Sequence, residues 1–203
     1  DKFTDKRKAI HGEVDAKGTW LPYVDPDPCA PTAYQRAMQK LTQLRLSGAS
    51  FPYKTITIDS LTGLCERIRR DVMARAGDSF KNPEIQHWGL MVSELDRFLI
   101  TARALPCTLL VTAHMLVPSS ESAMQSWLIS SMTQSHSSNK ISWAFDEVWY
   151  ASAQLSGPNK MTYSVSTMPT HGLPCRTRSG VLATIQHNEI GLAGVFEKLN
   201  IKA

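Results

Sequence analysis

The phosphate-cradling sequence Gly-x-x-x-x-Gly-Lys-Ser/Thr is missing from these 203 residues, and so is the dipeptide Gly-Lys. Within this sequence, no glycine-rich loop of that form can wrap its amides around a nucleotide's phosphates. Cysteine is scarce, at positions Cys29, Cys65, Cys107 and Cys175. No two of them form a Cys-x-x-Cys pair, and the spacings fit no zinc site. That excludes a zinc-finger framework and leaves reduced, buried thiols as the expectation. Long apolar runs are missing too: those around Leu105 to Leu110 fall far short of a membrane span. The opening run, Asp1-Lys-Phe-Thr-Asp-Lys-Arg-Lys-Ala9, is charged with no apolar core behind it, unlike a signal peptide. The chain does not open on Met, so a start further upstream is expected. A net charge of only +4, with a pI near 8.9, permits nucleic-acid contact without demanding it.

What is present reads as one domain, or one domain with an appendage. Hydrophobic residues at 42% and charged residues at 20% suit an ordinary globular core. Residues 1–32 form a polar, proline-rich segment with Asp25-Pro-Asp-Pro28 and Ala30-Pro31 as breakers, and residues 33–203 form the core. Thr32 is placed to cap a helix over Ala33 to Leu46, with Ala37, Met38, Leu41, Leu44 and Leu46 as its apolar positions. Tyr53 to Asp59 reads as a strand. Leu61 to Ala76 follows as an amphipathic helix with Leu64, Ile68, Val72 and Met73 inward. A longer helix is expected from Pro83 to Ala104, its inward stripe being Ile85, Trp88, Met91, Leu95, Phe98 and Leu99. Cys107 to His114 is a nearly continuous apolar run that suits a strand buried on both faces of a parallel sheet.

Residues 118–139 differ in composition. Nine of these 22 residues are Ser, which points to a long functional loop. Two strand-like runs follow, Glu147 to Ser156 and Met161 to Thr167, joined at Gly157-Pro-Asn-Lys160 as a hairpin. A short strand near Val181 to Ile185 and a helix near Leu192 to Leu199 close the sequence.

The chemistry-bearing residues fall at the ends of these elements. Asp59 ends a strand of alternating β-branched residues and is followed by Ser60, an arrangement that can hold the water shell of Mg²⁺. Its plainer role would be to cap the next helix. His114 ends the second strand, and neighbouring strand ends form the ligand crevice of a parallel sheet. A buried, hydrogen-bonded core histidine is the competing expectation. Arg176 and Arg178 flank Thr177 in a turn bounded by Pro174 and Gly180. Such a pair can reach a neighbouring subunit's phosphate, or can simply be solvated. Trp127, in the serine-rich loop, offers a stacking face for single-stranded DNA, with Lys140 the first cation after it.

Taken in order, Tyr53-Lys-Thr-Ile-Thr-Ile-Asp-Ser-Leu-Thr62, Gln86-His-Trp-Gly89, Leu105-Pro-Cys-Thr-Leu-Leu-Val-Thr-Ala-His114, Lys140-Ile-Ser-Trp-Ala-Phe-Asp-Glu-Val-Trp149 and Cys175-Arg-Thr-Arg-Ser-Gly180 resemble a known group. It is that of the phage-encoded RecA-like P-loop ATPases, the AAA-type single-strand annealing or recombination ATPases. The resemblance implies an α/β, RecA-like P-loop NTPase core, with a mostly parallel sheet flanked by helices and a C-terminal β-hairpin. It implies that Asp59 holds Mg²⁺ and, with Ser60, contacts ATP. It further implies that His114 is a polar sensor, that loop 118–139 faces DNA, and that Arg176 and Arg178 act across a subunit boundary. Single-stranded DNA, a homo-oligomeric ring or filament and a cytoplasmic setting away from membranes are the implied partners and place. The strand and phosphate loop of that group are expected to precede residue 1. A second reading, from a different class, is a non-catalytic nucleic-acid-binding or assembly module on the same fold.

Overall fold

The structure, a computed structural model, describes residues 12–14, 20–22, 25, 27, 29–116, 128–129, 141, 144–158, 160–168, 175–182, 185–187 and 191–199. The chain divides into two compact units, residues 1–114 with 131–133 and residues 115–130 with 134–203.

In the first unit, β1 (Gly12–Val14) pairs antiparallel with β2 (Trp20–Pro22). Helix α1 (Ala33–Leu46) follows. Thr32 occupies its N-cap position, but its side chain makes no capping bond. The carboxylate of buried Asp25 does that work instead, accepting the backbone N–H of Thr32 and of Ala33, both at 2.7 Å. Tyr34 and Leu41 are buried, whereas Leu46, one of the apolar positions, is 75% exposed in the last turn.

Strand β3 (Thr55–Ile58) leads through α2 (Leu61–Arg75) and α3 (Ile85–Arg103) to β4 (Thr108–Val111). β3 and β4 pair in parallel, from Thr55 opposite Thr108 to Ile58 opposite Val111. Parallel neighbours need a crossover of a dozen residues or more, and the two helices supply it. The helices form the core of the unit: α2 gives Leu61, Leu64, Cys65, Ile68, Val72 and Met73, and α3 gives Met91, Leu95, Phe98, Leu99 and Ala102. Each fully buried large side chain contributes about 1.5–3 kcal/mol.

The stripe of α3 is buried as expected at Met91, Leu95, Phe98 and Leu99, and departs from expectation at the helix start. Ile85 is 91% exposed and His87 is buried. His87 Nδ1 accepts the backbone N–H of Glu84 at 3.0 Å, which folds the ring back over the helix start. His87, Met91 and Leu95 then share one face, and Ile85 points about 200° away from His87 at 100° per residue. A second correction concerns the strands. The residues of β4 are all half-buried rather than buried, because among the described residues each strand of this sheet has one neighbour only.

In the second unit, β5 (Met115–Leu116) pairs antiparallel with β6 (Leu128–Ile129). Two residues of the stretch read as a loop are thus a strand, and the rest of 118–139 lies outside the described residues. The expected hairpin is present as β8 (Tyr150–Gly157) and β9 (Lys160–Ser166), with an irregularity between Leu155 and Gly157. β11 (Ile185–His187) adds to β9, while β7 (Glu147–Val148) pairs with β10 (Arg176–Thr177). α4 spans Gly191–Lys198. These ladders are antiparallel, so among the described residues β3–β4 is the one parallel pair, where a mostly parallel sheet was expected. Of the cysteines, Cys65 and Cys175 are buried and Cys107 is half-buried, but Cys29 is exposed, against expectation. Among the described residues no helix is long and apolar enough to cross a membrane.

Candidate functional site at the ends of β3 and β4

The register of β3 on β4 carries one step past both strands and sets Asp59 beside Thr112. The Thr112 hydroxyl donates to Asp59 Oδ1 at 2.5 Å. Three more bonds join the same two strand ends. Thr112 N–H donates to the Ile58 carbonyl at 3.0 Å, and Leu61 N–H to the Thr112 carbonyl at 2.7 Å. His114 N–H donates to Thr62 Oγ1 at 3.0 Å. The Asp59–Ser60 peptide is cis. Ser60 closes the start of α2, its Oγ accepting Gly63 N–H at 3.2 Å.

The chain thus brings Asp59, Ser60 and His114 to one edge of the sheet, with Thr112 and Thr62 as the hydroxyls that fix them. Asp59 and His114 are both exposed. Asp59 does not cap α2, since Ser60 does. His114 is not a buried core histidine. Among the described residues, Asp59 Oδ2 and the His114 imidazole make no hydrogen bond, so both stand open to a ligand. The Ser60 hydroxyl accepts one bond and keeps its proton for another acceptor.

This donor set suits a hard cation. Among the described residues no group of three or more His, Cys, Asp or Glu side chains is placed to hold a metal. Mg²⁺ does not need such a cage: it keeps several waters and takes one or two carboxylates together with substrate phosphates. A single exposed carboxylate with one open oxygen fits that mode. Asp59 would hold the ion, which would supply charge neutralisation at a nucleotide's phosphates.

Sequence reasoning passed over Thr112. The signal was available: strands matched at Thr55 and Thr108 keep that offset at Asp59 and Thr112, a comparison that needs only the assumption of parallel pairing.

Arg176 and Arg178 belong to the second unit, where the turn after β10 is built on Glu147. Glu147 Oε1 accepts Thr177 Oγ1 at 3.0 Å, Arg178 N–H at 3.2 Å and Ser179 N–H at 3.1 Å, and Oε2 accepts Trp149 Nε1 at 3.2 Å. Burial pushes the Glu147 carboxyl up, but these donors outweigh it and hold it below its ordinary value. The Arg178 guanidinium pairs with Asp146 at 2.6 Å, and its side chain is 55% exposed. Arg176 lies half-buried within β10. Glu147, which orders this turn, was another residue that sequence reasoning did not single out. Trp127 and Lys140 lie outside the described residues.

A parallel strand pair with an aspartate and a histidine, both exposed, at the same C-terminal end is the arrangement to compare with known proteins. The family model described as AAA domain matches residues 12–179. The chain belongs to the AAA domain family. This is a family of P-loop ATPases with an α/β fold, and membership carries nucleotide binding, with Mg²⁺, as its general function. No curated protein and no solved structure matches the chain.

Proposed function

We propose that this AAA-family chain is part of a RecA-like ATPase that couples ATP hydrolysis to DNA recombination or single-strand annealing, encoded by a phage and working as a homo-oligomeric ring or filament. The observation that supports it most is the edge formed by Asp59 and His114, because it offers a metal-holding carboxylate and a polar sensor on adjacent parallel strands. In this reading Asp59 and Ser60 meet Mg²⁺ and ATP, and His114 meets the terminal phosphate or the attacking water. Arg176 or Arg178 acts on the phosphate of a neighbouring subunit, and Trp127 and Lys140 contact single-stranded DNA. Residues 33–203 serve as the core in this reading, and 1–32 as its polar lead-in.

The test is single-stranded-DNA-stimulated ATP hydrolysis by the full-length protein, wild type against Asp59→Asn. Loss of turnover by about 100-fold or more is expected, the scale on which removing a charge-stabilising group acts. Normal turnover in Asp59→Asn sinks the assignment of the site. A wild-type protein that binds single-stranded DNA but hydrolyses nothing turns the reading to a binding module.

A further inference from the structure

We infer that Thr112 is a positioning residue for the metal-holding carboxylate: it fixes the Asp59 side chain so that Oδ1 is occupied and Oδ2 is left for Mg²⁺. This rests on the proposed function, because it assumes that Asp59 is the metal's carboxylate.

The argument begins with freedom. Asp59 lies just past the last paired residue of β3 and is exposed, so little packing restrains its χ angles. A free carboxylate there presents either oxygen, in several orientations, to an ion that tolerates little departure from octahedral geometry. One short hydrogen bond removes that freedom. The Thr112 hydroxyl donates to Oδ1 at 2.5 Å, while its backbone is clamped on both sides, N–H to Ile58 and carbonyl to Leu61. Thr112 is therefore a rigid donor, its backbone held by two hydrogen bonds, one to the end of β3 and one to the start of α2, and it transmits the β3–β4 register to the carboxylate. A bond of this kind to a ligand's other oxygen belongs to the outer partners that orient metal ligands, whose removal typically weakens metal binding by about 10–100-fold.

Thr112 is exposed, so replacing its hydroxyl with a methyl group does not cut into the core. Thr112→Val keeps the shape and removes the donor, and Thr112→Ser keeps the donor and removes the methyl. The experiment titrates Mn²⁺, read by electron paramagnetic resonance, into full-length protein holding a non-hydrolysable ATP analogue. Thermal melting runs beside it. Expected are a loss of Mn²⁺ affinity of about 10-fold or more in Thr112→Val and recovery to within about 3-fold of wild type in Thr112→Ser, with melting little changed in either. Should the valine variant not fold, the serine variant and Thr112→Ala carry the same contrast.

The outcomes separate the two claims. If Asp59→Asn loses Mn²⁺ and Thr112→Val does not, the positioning role is overturned and the site stands. If Asp59→Asn binds Mn²⁺ as wild type does, the site fails and Thr112 falls with it. If valine and serine weaken Mn²⁺ equally while melting drops, Thr112 is merely structural and the inference is overturned.

Discussion

Asp25 caps a helix that begins eight residues after it, accepting the backbone N–H of Ala33 at 2.7 Å with the same oxygen that takes Thr32 N–H. The first amides of a helix have no intrahelical acceptor, and a carboxylate there also meets the positive end of the helix dipole. The other oxygen, Oδ2, is buried without a hydrogen bond and faces the Arg67 guanidinium at 3.9 Å. Asp25→Ala should cost about 2 kcal/mol, the upper end for a lost cap, because two amides, that of Ala33 buried and that of Thr32 partly so, lose their acceptor. Asp25→Asn keeps an acceptor and gives up only the charge, so about half that loss is expected. Denaturant melts of the two variants measure the difference, and equal stability of wild type and Asp25→Ala would refute the capping role.

Tyr34 lies in the first turn of the same helix, 1% exposed, and its hydroxyl donates to Glu94 Oε2 at 2.8 Å. Glu94 in turn holds Arg75 and Arg97, both at 2.9 Å, so one carboxylate joins α1, α2 and α3. Burial, reinforced by Glu94, pushes the Tyr34 phenol up from 10.0 to about 12, against the opposing pull of Arg97. A raised folded value favours the neutral phenol in the folded state. That contribution is complete below pH 10 and is lost as pH rises from 10 through 12. Tyrosinate absorbance should therefore show a late phase near pH 12, and Tyr34→Phe should delete that phase. A late phase that persists in Tyr34→Phe contradicts the assignment.

These two residues mark what the sequence made legible and what it did not. Helix order, the strands β3 and β4 and the hairpin at residues 157–160 followed from periodicity and from turn residues, because those signals are local. The strand expected near Val181 to Ile185 lies instead at Ile185–His187, and the run from Glu147 to Ser156 is two strands. Asp59 and His114 were singled out because both stand where apolar runs stop. Thr32 stands at the N-cap as expected, but the capping acceptor was not foreseen, since a hydroxyl one residue before a helix is the local signal and Asp25 reaches in from further upstream. The start of the α3 stripe was misread for a related reason, while Met91, Leu95, Phe98 and Leu99 are buried as expected. Counting apolar residues put Ile85 inward, whereas the bond from Glu84 N–H to His87 Nδ1 turned a polar ring to the core. Thr112 and Glu147 were missed because their importance lies in partners far along the chain, 53 residues in one case and about 30 in the other.

The arginine turn yields a prediction that separates action within a subunit from action across one. Arg178 is held to Asp146 at 2.6 Å, and its backbone is fixed on Glu147, so the turn is an ordered, exposed presentation of a cation. Under the proposed function that cation serves a neighbour's phosphate. Arg178→Ala should then lower hydrolysis by the full-length protein by about 10³-fold, the low end for such an arginine. Asp59→Asn should be inactive for a different reason, having lost the metal's carboxylate. Mixing the two inactive proteins is the measurement. In an equal mixture that assembles at random, a subunit with an intact Asp59 stands beside one with an intact Arg178 at about a quarter of the interfaces, so about a quarter of wild-type turnover should return. If Arg178 serves its own subunit instead, no site in the mixture is complete and turnover stays at the level of the single variants. Full activity in Arg178→Ala alone would move the role to Arg176, for which the same mixing experiment applies.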